Sequence, residues 1–132
     1  AAVIPKFLNL MQQGIQPVIN GDGSFSRDFT YIENVVQANI KALFIDNNKC
    51  YGEAFNIGAG GRFSLIELFN ILKKELKLDM NPIFGPNRPG DIPHSNADIT
   101  KAKNMLGYDP KINFETGIIK YVKLTQINSF PK

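Results

Sequence analysis

Two short segments of the chain place an arginine close to an aspartate, outside any helical pattern. One segment holds Arg27 and Asp28, and the other holds Arg88 and Asp91 with a Pro-Gly pair between them. A guanidinium presents a rigid fork of N–H donors that suits phosphate oxygens, so two converging arginines could hold a diphosphate. A neighbouring carboxylate could accept hydrogen bonds from the hydroxyls of a sugar. The residues alone leave a second interpretation open, in which each pair is a local ion pair that fixes its own loop.

A third candidate site is the glycine-rich segment at residues 58–61. It lies just before a predicted helix, and backbone N–H groups at a helix N-terminus can bind a phosphate. Such a segment can also be no more than the turn between a strand and a helix. It does not complete the Gly-x-Gly-x-x-Gly fingerprint of dinucleotide-binding proteins, because Phe63 stands where the last glycine is required.

The sequence has a single cysteine, Cys50, and a single histidine, His94. An internal disulfide therefore cannot form, and we expect no metal site built from cysteine and histidine. A Cys–His catalytic pair would need these two residues to meet in space, and neither stands in a recognisable nucleophile motif. We therefore assign no catalytic residue and no metal ligand to this chain.

The composition is that of one ordinary globular domain, which can bury a core without disulfides or metals. The 132 residues are 43% hydrophobic, and 15 Lys+Arg against 12 Asp+Glu give a formal net charge of +3. No apolar stretch approaches the ~18 residues of a membrane span and no signal-peptide pattern opens the chain, so we expect a soluble cytoplasmic protein with no membrane partner. The lysines are scattered and are not interleaved with aromatic residues, which ranks nucleic-acid binding last.

Hydrophobic periodicity and turn residues predict a mixed α/β domain whose elements would position these segments. Helices are predicted at residues 1–13, closed by Gly14, and at residues 33–45, 65–76, 99–106 and 114–128. The third helix begins with a capping box of Ser64 and Glu67, and the fourth has Asp98 as its N-cap. Short strands are predicted at residues 17–20, 28–32, 54–57 and 82–84, with a long irregular loop over residues 85–95.

Taken in order, several segments resemble the C-terminal part of the NAD-dependent sugar-nucleotide epimerases and dehydratases, which belong to the extended short-chain dehydrogenase/reductase family. The similar segments are residues 2–7, 18–24, 26–35, 55–58, 64–65, 88–102 and 106–110. No single segment is specific, but their order along nearly the whole chain is. Residues 3–6 and 21–24 are most similar to those of the UDP-N-acetylglucosamine 4-epimerases within that family.

This resemblance implies that residues 1–132 form the small mixed α/β lobe that binds a UDP-sugar, a C-terminal domain without the Rossmann domain of the whole enzyme. By the same resemblance, the backbone around Val18 and Asn20 would contact the uracil. Arg27 and Arg88 would hold the diphosphate, and Asp91 would accept hydrogen bonds from the ribose. The agreement with the chemistry of the two Arg–Asp segments favours a ligand site over local ion pairs.

The resemblance also implies an NAD-dependent 4-epimerase, an isomerase that passes a hydride to NAD and back through a 4-keto sugar. Enzymes of the family use a Tyr-x-x-x-Lys pair for acid–base catalysis, and none of the four tyrosines here has a lysine four positions later. We therefore expect this pair and the NAD site to lie upstream of residue 1, in a Rossmann domain of the same chain. The isolated fragment would then be inactive, retain no NAD and self-associate through its exposed domain surface, and the whole enzyme would be a homodimer.

Three alternatives remain open. The same lobe could belong to a dTDP-glucose 4,6-dehydratase or a UDP-glucuronate decarboxylase, because the residues that separate these activities lie near the catalytic tyrosine. A non-catalytic nucleotide-binding module would have no Rossmann half in the same reading frame. Nucleic-acid binding through the net charge of +3 would show a steep dependence of affinity on salt.

Overall fold

The structure is a computed structural model, and it describes residues 2–127. Within that range it contains five α-helices, five short β-strands and a 3₁₀ turn at Asn48–Cys50. The helices are α1 (Val3–Gln12), α2 (Ile32–Leu43), α3 (Leu65–Glu75), α4 (Thr100–Leu106) and α5 (Phe114–Ile127). The strands are β1 (Val18–Asn20), β2 (Ser26–Arg27), β3 (Phe63–Ser64), β4 (Ile83–Gly85) and β5 (His94–Ser95). No helix within residues 2–127 has the length and apolar character needed to cross a membrane.

The strands form two small sheets. β1 pairs with β4 in parallel, with Val18 opposite Ile83. β2 is the central strand of the second sheet, antiparallel to β3 and parallel to β5. The segment between β4 and β5 therefore runs from one sheet to the other, and it carries Arg88 and Asp91.

Two hydrophobic clusters support these sheets. The larger lies among α1, α3 and α5 and includes Ile19, the middle residue of β1. Phe114 at the start of α5 stacks on Phe63 of β3 with 4.3 Å between the ring centroids. The smaller cluster joins α2 to α4 around Tyr108, whose hydroxyl donates to the Gly58 carbonyl at 2.7 Å. The second cluster thereby holds the glycine-rich segment in place.

Asn34 of α2 is buried and binds the backbone that leads into α5. Its side-chain N–H donates to the Ile112 carbonyl at 2.7 Å, and its side-chain oxygen accepts the N–H groups of Lys111 and Ile112 at 3.0 and 3.1 Å. The side chain is only 1% exposed, so it satisfies three backbone groups inside the fold. Asn34 therefore fixes the path of the chain just before α5.

The predicted helices are confirmed within the described residues. α1 is followed by Gly14 in the left-handed region (φ +73°), as the helix-stop pattern requires. α3 carries the predicted capping box: the Ser64 hydroxyl accepts the Glu67 N–H at 3.3 Å, and the Glu67 carboxylate accepts the Ser64 N–H at 2.7 Å. The predicted helix boundaries at residues 1 and 128 lie outside the described residues.

α4 begins one residue later than predicted. Ile99 occupies the cap position, while the Asp98 carboxylate accepts the Thr100 N–H at 2.9 Å. Hydrogen bonds from the Thr100 hydroxyl and N–H hold the pKa of the Asp98 carboxyl below its ordinary value. The helix ends as predicted before Gly107, whose φ is +64°.

Two of the four predicted strands are confirmed and two are wrong. β1 and β4 lie within one residue of the predicted positions 17–20 and 82–84. Residues 28–32 form no strand, because the pairing ends at Arg27 and α2 begins at Ile32. Asp28 makes the last backbone bond to β5, from its N–H to the Ser95 carbonyl at 2.9 Å, and no described strand lies beside the residues that follow. Its carboxylate instead binds backbone N–H groups of two other segments.

Residues 54–57 have the composition of a strand but no strand partner among the described residues. Side chains hold this part of the chain instead: the Lys101 ammonium donates to the Ala54 carbonyl at 3.0 Å and to the Glu53 carboxylate at 2.5 Å. The strand of this region is β3, which starts at Phe63. The residue types at 54–57 favour a strand, but within residues 2–127 no strand lies beside them to form one.

Replacing Ser64 with alanine is expected to destabilise the fold by about 1 kcal/mol at neutral pH, because the helix N-cap is lost. Hydrogen bonds from the Ser64 hydroxyl and N–H lower the pKa of the Glu67 carboxyl. Such a carboxylate stabilises the fold above its unfolded-state pKa, and this contribution is lost as the pH falls through the lowered pKa. Urea unfolding should therefore show a larger effect of the substitution at about pH 7 than at about pH 3. If the loss of unfolding free energy caused by Ser64→Ala were the same at both pH values, the capping-box assignment would be contradicted.

Candidate functional site

β1 presents a free backbone edge at one end of the candidate site. Among the described residues β1 pairs only with β4. The Pro17 carbonyl and the Gly21 N–H both bond to β4, at 3.0 and 2.9 Å, and backbone groups alternate in direction along a strand. The N–H and C=O groups of Val18 and Asn20 therefore point to the opposite edge, which no described strand covers. These are the two residues predicted to contact a base through their backbone.

The segment after β4 lies over the end of β1. Gly21 follows β1 with a positive φ of +71°, and a Cβ at this position would lie 2.2 Å from the Asn87 side-chain oxygen. A residue with a side chain would therefore collide with Asn87, and glycine alone permits the contact. Because Asn87 immediately precedes Arg88, this contact brings the backbone of Arg88 to the end of β1.

Arg88 and Asp91 share one turn of the segment that links the two sheets. The Asp91 N–H donates to the Arg88 carbonyl at 3.2 Å, and Gly90 has the positive φ (+82°) that such turns favour. The Arg88 side chain is exposed. Within residues 2–127 neither the guanidinium of Arg88 nor the carboxylate of Asp91 makes an ion pair or a hydrogen bond. Both groups can therefore reach a ligand without first breaking a contact.

Arg27 ends β2, beside the same linking segment. Its Nη1 atom donates to the Ser26 carbonyl at 2.8 Å and to the Pro93 carbonyl at 3.4 Å. Its Nε and Nη2 atoms make no hydrogen bond to any described residue. The guanidinium is thus anchored through one nitrogen and keeps its other donors for a ligand, an arrangement that suits an anion.

Asp28 does not pair with the neighbouring Arg27. Its carboxylate accepts three backbone N–H groups, those of Ala59, Gly60 and Ala97, at 2.9, 3.1 and 3.5 Å. Neither Arg–Asp segment forms an ion pair in the described part of the chain. The interpretation of the two segments as local ion pairs is therefore wrong.

The glycine-rich segment 58–61 is a turn and does not form a phosphate cradle. Two of its N–H groups already bind the Asp28 carboxylate. The first N–H groups of α3 are also occupied, because Leu65 and Ile66 donate to backbone carbonyls of residues 23–25 at 3.0 and 3.2 Å. These N–H groups are thus unavailable to the phosphates of NAD, and this segment does not fit that part of the cofactor.

A polar cleft of about 360 Å³ opens beside Arg27. Its walls come from the segment before the glycine-rich turn and from the segment after β5, and they include Asn56, Asn96 and Asp98. Amide and carboxylate groups suit hydroxyls and do not by themselves attract an anion. The other four predicted site residues lie outside this cleft: Val18, Asn20, Arg88 and Asp91.

Two contacts connect the segments that carry the five predicted site residues: Gly21 after β1 meets Asn87, and Pro93 meets Arg27. We call these connected segments the arginine strip, defined as the free edge of β1, residues 86–93, and Arg27, which contacts that segment at Pro93. The strip begins at unpaired backbone groups, continues over the Arg88–Asp91 turn and ends at the mouth of the polar cleft. It combines neutral hydrogen-bonding groups, two guanidinium groups and one free carboxylate.

Sequence reasoning missed two contacts that shape this strip. Ser26 is buried, and its hydroxyl shares a hydrogen bond of 2.8 Å with His94 Nδ1 across the β2–β5 pair. The other is the contact of Asn87 with Gly21. Neither leaves a local pattern, because the partners are far apart in the sequence. Cys50 is buried in the α2–α4 cluster, so the single histidine forms no catalytic pair with it.

Besides Asp98, two titratable groups near the site have shifted pKa values. Hydrogen bonds from the Ser24 hydroxyl and N–H lower the pKa of Asp22, in the loop after β1. Burial raises the pKa of Tyr108, and the negative charge of Asp28 raises it further by a smaller amount. Tyr108 therefore stays protonated at neutral pH, in agreement with its hydroxyl donating to the Gly58 carbonyl.

Known proteins share both the sequence and the architecture of this chain. Residues 1–121 match the family described as GDP-mannose 4,6 dehydratase. A putative UDP-glucose 4-epimerase of Methanocaldococcus jannaschii is 36% identical over 129 residues, which are 98% of this chain and 40% of that protein. The crystal structure of a UDP-glucose 4-epimerase from Thermotoga maritima, solved with UDP-glucose, matches 97% of this chain and 40% of its own, with 37% identity and a TM-score of 0.87. A UDP-glucuronic acid 4-epimerase from Bacillus cereus, solved with UDP-glucuronic acid and NAD, matches 94% of this chain and 40% of its own, with 28% identity and a TM-score of 0.84.

These matches confirm the predicted mixed α/β lobe and its place in the family. The chain spans about 40% of the length of these relatives, and it corresponds to their C-terminal portion. The chain belongs to the GDP-mannose 4,6 dehydratase family, the sugar-nucleotide epimerases and dehydratases of the extended short-chain dehydrogenase/reductase type.

Proposed function

We propose that this chain is the nucleotide-binding lobe of a longer NAD-dependent UDP-sugar 4-epimerase. In this proposal it holds the UDP moiety while an upstream domain of the same protein carries out the hydride transfer. The observation that carries the proposal is the arginine strip, where a free strand edge adjoins two arginines and a carboxylate that make no ion pairs within residues 2–127. Uracil, diphosphate and ribose require these three kinds of group.

Each part of UDP has a matching group on the arginine strip. The uracil ring carries two carbonyl acceptors and an N–H donor, and the free edge at Val18 and Asn20 supplies complementary N–H and C=O groups. Arg27 and Arg88 supply charge-assisted donors for the diphosphate. The Asp91 carboxylate accepts hydrogen bonds from the ribose hydroxyls. These assignments give all five residues roles in binding and none in proton transfer.

The contribution of such a lobe to catalysis is positioning. An epimerase must keep the nucleotide fixed while the hexose presents first one face and then the other to the hydride acceptor, and anchoring one end of the substrate provides this. NAD supplies the hydride chemistry in enzymes of this type. The occupied N–H groups of the glycine-rich turn support a cofactor site located mainly in the upstream domain.

An apolar face on α2 is the surface that would receive the upstream domain. Four residues at helical spacing, Ile32, Val36, Ile40 and Leu43, are between 47% and 76% exposed. Exposed apolar patches of this kind mark contact surfaces. The unpaired strand-like residues 54–57 border the same cluster as α2, and such a segment can add to the sheet of another domain. We propose that the α2 face and residues 54–57 together dock the upstream domain.

Preparations of residues 1–132 alone are expected to self-associate, because the α2 face then has no partner domain to cover it. Sedimentation velocity over a range of concentrations measures this association. Leu43→Lys, which places a charge at the most exposed residue of the face, should shift the chain towards monomer. Leu124→Lys is the matched control, because Leu124 lies on α5 and is itself 50% exposed. A chain that stays monomeric at high concentration would contradict this surface assignment.

The proposed activity is tested by incubating the full-length protein with UDP-hexoses and separating the products by chromatography. We expect the C4 epimer to form, and we expect residues 1–132 alone to give no product. A dehydratase would instead release water and leave a 4-keto-6-deoxy sugar, and a decarboxylase would release CO₂ from a UDP-glucuronate. Turnover by a clean preparation of residues 1–132 would contradict the division of work between the two domains.

A further inference from the structure

We propose that Asp28 is a positioning residue for the nucleotide site. In this proposal its carboxylate joins the residues after β5 to the glycine-rich turn, which steadies the nearby Pro93 carbonyl that anchors Arg27 and so sets the direction of that guanidinium. The inference rests on the proposed function, because it concerns how Arg27 meets an anionic ligand. Arg27 is the residue that would touch the ligand, and Asp28 acts through it.

One aspartate ties β2 to both walls of the polar cleft. Next to one wall, its carboxylate accepts the N–H groups of Ala59 and Gly60 in the glycine-rich turn at 2.9 and 3.1 Å. On the other wall it accepts the Ala97 N–H at 3.5 Å, while its own N–H donates to the Ser95 carbonyl at 2.9 Å. β5 is therefore held by the backbone of Asp28, and the residues after β5 are held by its side chain.

The glycine-rich turn is shaped to admit this carboxylate. A Cβ on Gly58 would lie 2.4 Å from Asp28 Oδ2 and 3.0 Å from the Ala97 Cβ. Any side chain at this position would therefore push the carboxylate out from between the two walls. The buried hydroxyl of Tyr108 holds the Gly58 carbonyl from the other side at 2.7 Å. The turn is thus built around the Asp28 carboxylate.

The residues held by Asp28 follow closely on the residue that anchors Arg27. The Pro93 carbonyl accepts both the Ser26 N–H at 2.9 Å and Arg27 Nη1 at 3.4 Å. Pro93 lies two positions before Ser95, which Asp28 binds directly. Replacing the Asp28 side chain leaves the backbone bond to Ser95 in place but removes the bond between the carboxylate and Ala97, four positions after Pro93. We expect the acceptor of Arg27 to shift with the residues that this loss releases.

The arrangement also keeps the two neighbouring charges apart. An Asp28 carboxylate without other donors would pair with the nearest cation, which would occupy the fork of the Arg27 guanidinium. Three backbone N–H groups stabilise the carboxylate instead. The Nε and Nη2 donors of Arg27 therefore stay available for phosphate oxygens.

The test is a double-mutant cycle between Asp28 and Arg27 in the full-length protein, with UDP binding measured by calorimetry. Asp28→Ala should weaken UDP binding about tenfold, the change that accompanies the loss of one or two such hydrogen bonds. Asp28→Asn, which keeps the size and one acceptor oxygen, should give a smaller loss. In an Arg27→Ala background, Asp28→Ala should have little further effect, because the residue through which it acts is gone. Asp46→Ala, at an exposed aspartate away from the strip, is the matched control.

Two results would overturn the inference. One is unchanged UDP affinity in both Asp28 variants. The other is an equal loss of UDP affinity when Asp28 is replaced in the unchanged protein and in the Arg27→Ala background. That result is expected if the role of Asp28 is purely structural. Circular dichroism establishes whether each variant is folded. If Asp28→Ala does not fold, Asp28→Asn takes its place in the double-mutant cycle. Unchanged affinity of Arg27→Ala on its own would instead contradict the proposed function, so the two failures are distinguishable.

Discussion

Replacing Arg88 with alanine is expected to weaken UDP binding by the full-length protein by about 1.5–3 kcal/mol, roughly 10- to 150-fold in Kd. The exposed guanidinium makes no ion pair within residues 2–127, so the substitution removes a ligand contact without breaking a described internal one. The free energy of unfolding should therefore change little. Isothermal titration calorimetry with UDP measures the effect, and Arg27→Ala is expected to give a loss of similar size.

Arg62→Ala is the control for this experiment. Arg62 is also an exposed arginine, it lies in the loop before β3, and its replacement changes the net charge by the same amount. A loss confined to Arg88 and Arg27 would show a specific diphosphate contact, whereas equal losses at all three positions would show only long-range attraction. Equal UDP affinity of Arg88→Ala and the unchanged protein would contradict the assignment of Arg88.

Replacing Asn34 with alanine is expected to lower the free energy of unfolding by about 3–5 kcal/mol. The substitution removes three hydrogen bonds and leaves the N–H groups of Lys111 and Ile112 and the Ile112 carbonyl without their side-chain partner. The partly buried backbone groups that lose their partner carry most of this cost. Urea unfolding followed by circular dichroism measures the change.

Asn39→Ala on the same helix is the matched control. Asn39 is exposed, and its side chain donates only to the Val35 carbonyl one turn earlier, at 2.9 Å. Its replacement should change the free energy of unfolding by less than about 0.5 kcal/mol. A loss below about 1 kcal/mol for Asn34→Ala would mean that the segment before α5 finds other partners, and that Asn34 does not fix it.

The helices could be predicted because their signals are local. The capping box of Ser64 and Glu67 and the stop at Gly14 involve residues within one turn of each helix end, and both appear in the structure. For α2, the spacing of the apolar residues predicted the helix, but it did not show which side of the helix faces the interior. Only the structure shows that Ile40 and Leu43 are exposed and that Asn34 and Ala38 face the interior.

The sheets were harder to predict because their pairing is non-local. β2, β3 and β5 pair over only two residues each, and they come from distant parts of the chain. Strand composition gave residues 28–32 and 54–57 instead. In the first case the pairing with β5 ends at Asp28, and its side chain binds the glycine-rich turn. In the second, the described residues contain no strand for the segment to join.

The site was partly predictable because its chemistry is local even though its assembly is not. An arginine and an aspartate in a loop indicate anion and hydroxyl binding wherever the loop goes. The structure adds the relation between the parts: Gly21 admits Asn87, and Pro93 joins the linking segment to Arg27. The role of Asp28 could not be predicted, because proximity in sequence suggested Arg27 as its partner, whereas its carboxylate accepts the Thr30 hydroxyl and the N–H groups of the distant residues 59, 60 and 97.

The most direct test of the central claim is the position of the diphosphate in a crystal structure of the full-length protein with a UDP-hexose. We expect both phosphates to lie on the arginine strip, within hydrogen-bonding distance of the Arg27 and Arg88 guanidinium groups. The uracil should lie against the free edge of β1, and the ribose hydroxyls should face Asp91. A diphosphate bound elsewhere, with both arginines still in solvent, would contradict the claim that this lobe anchors the nucleotide.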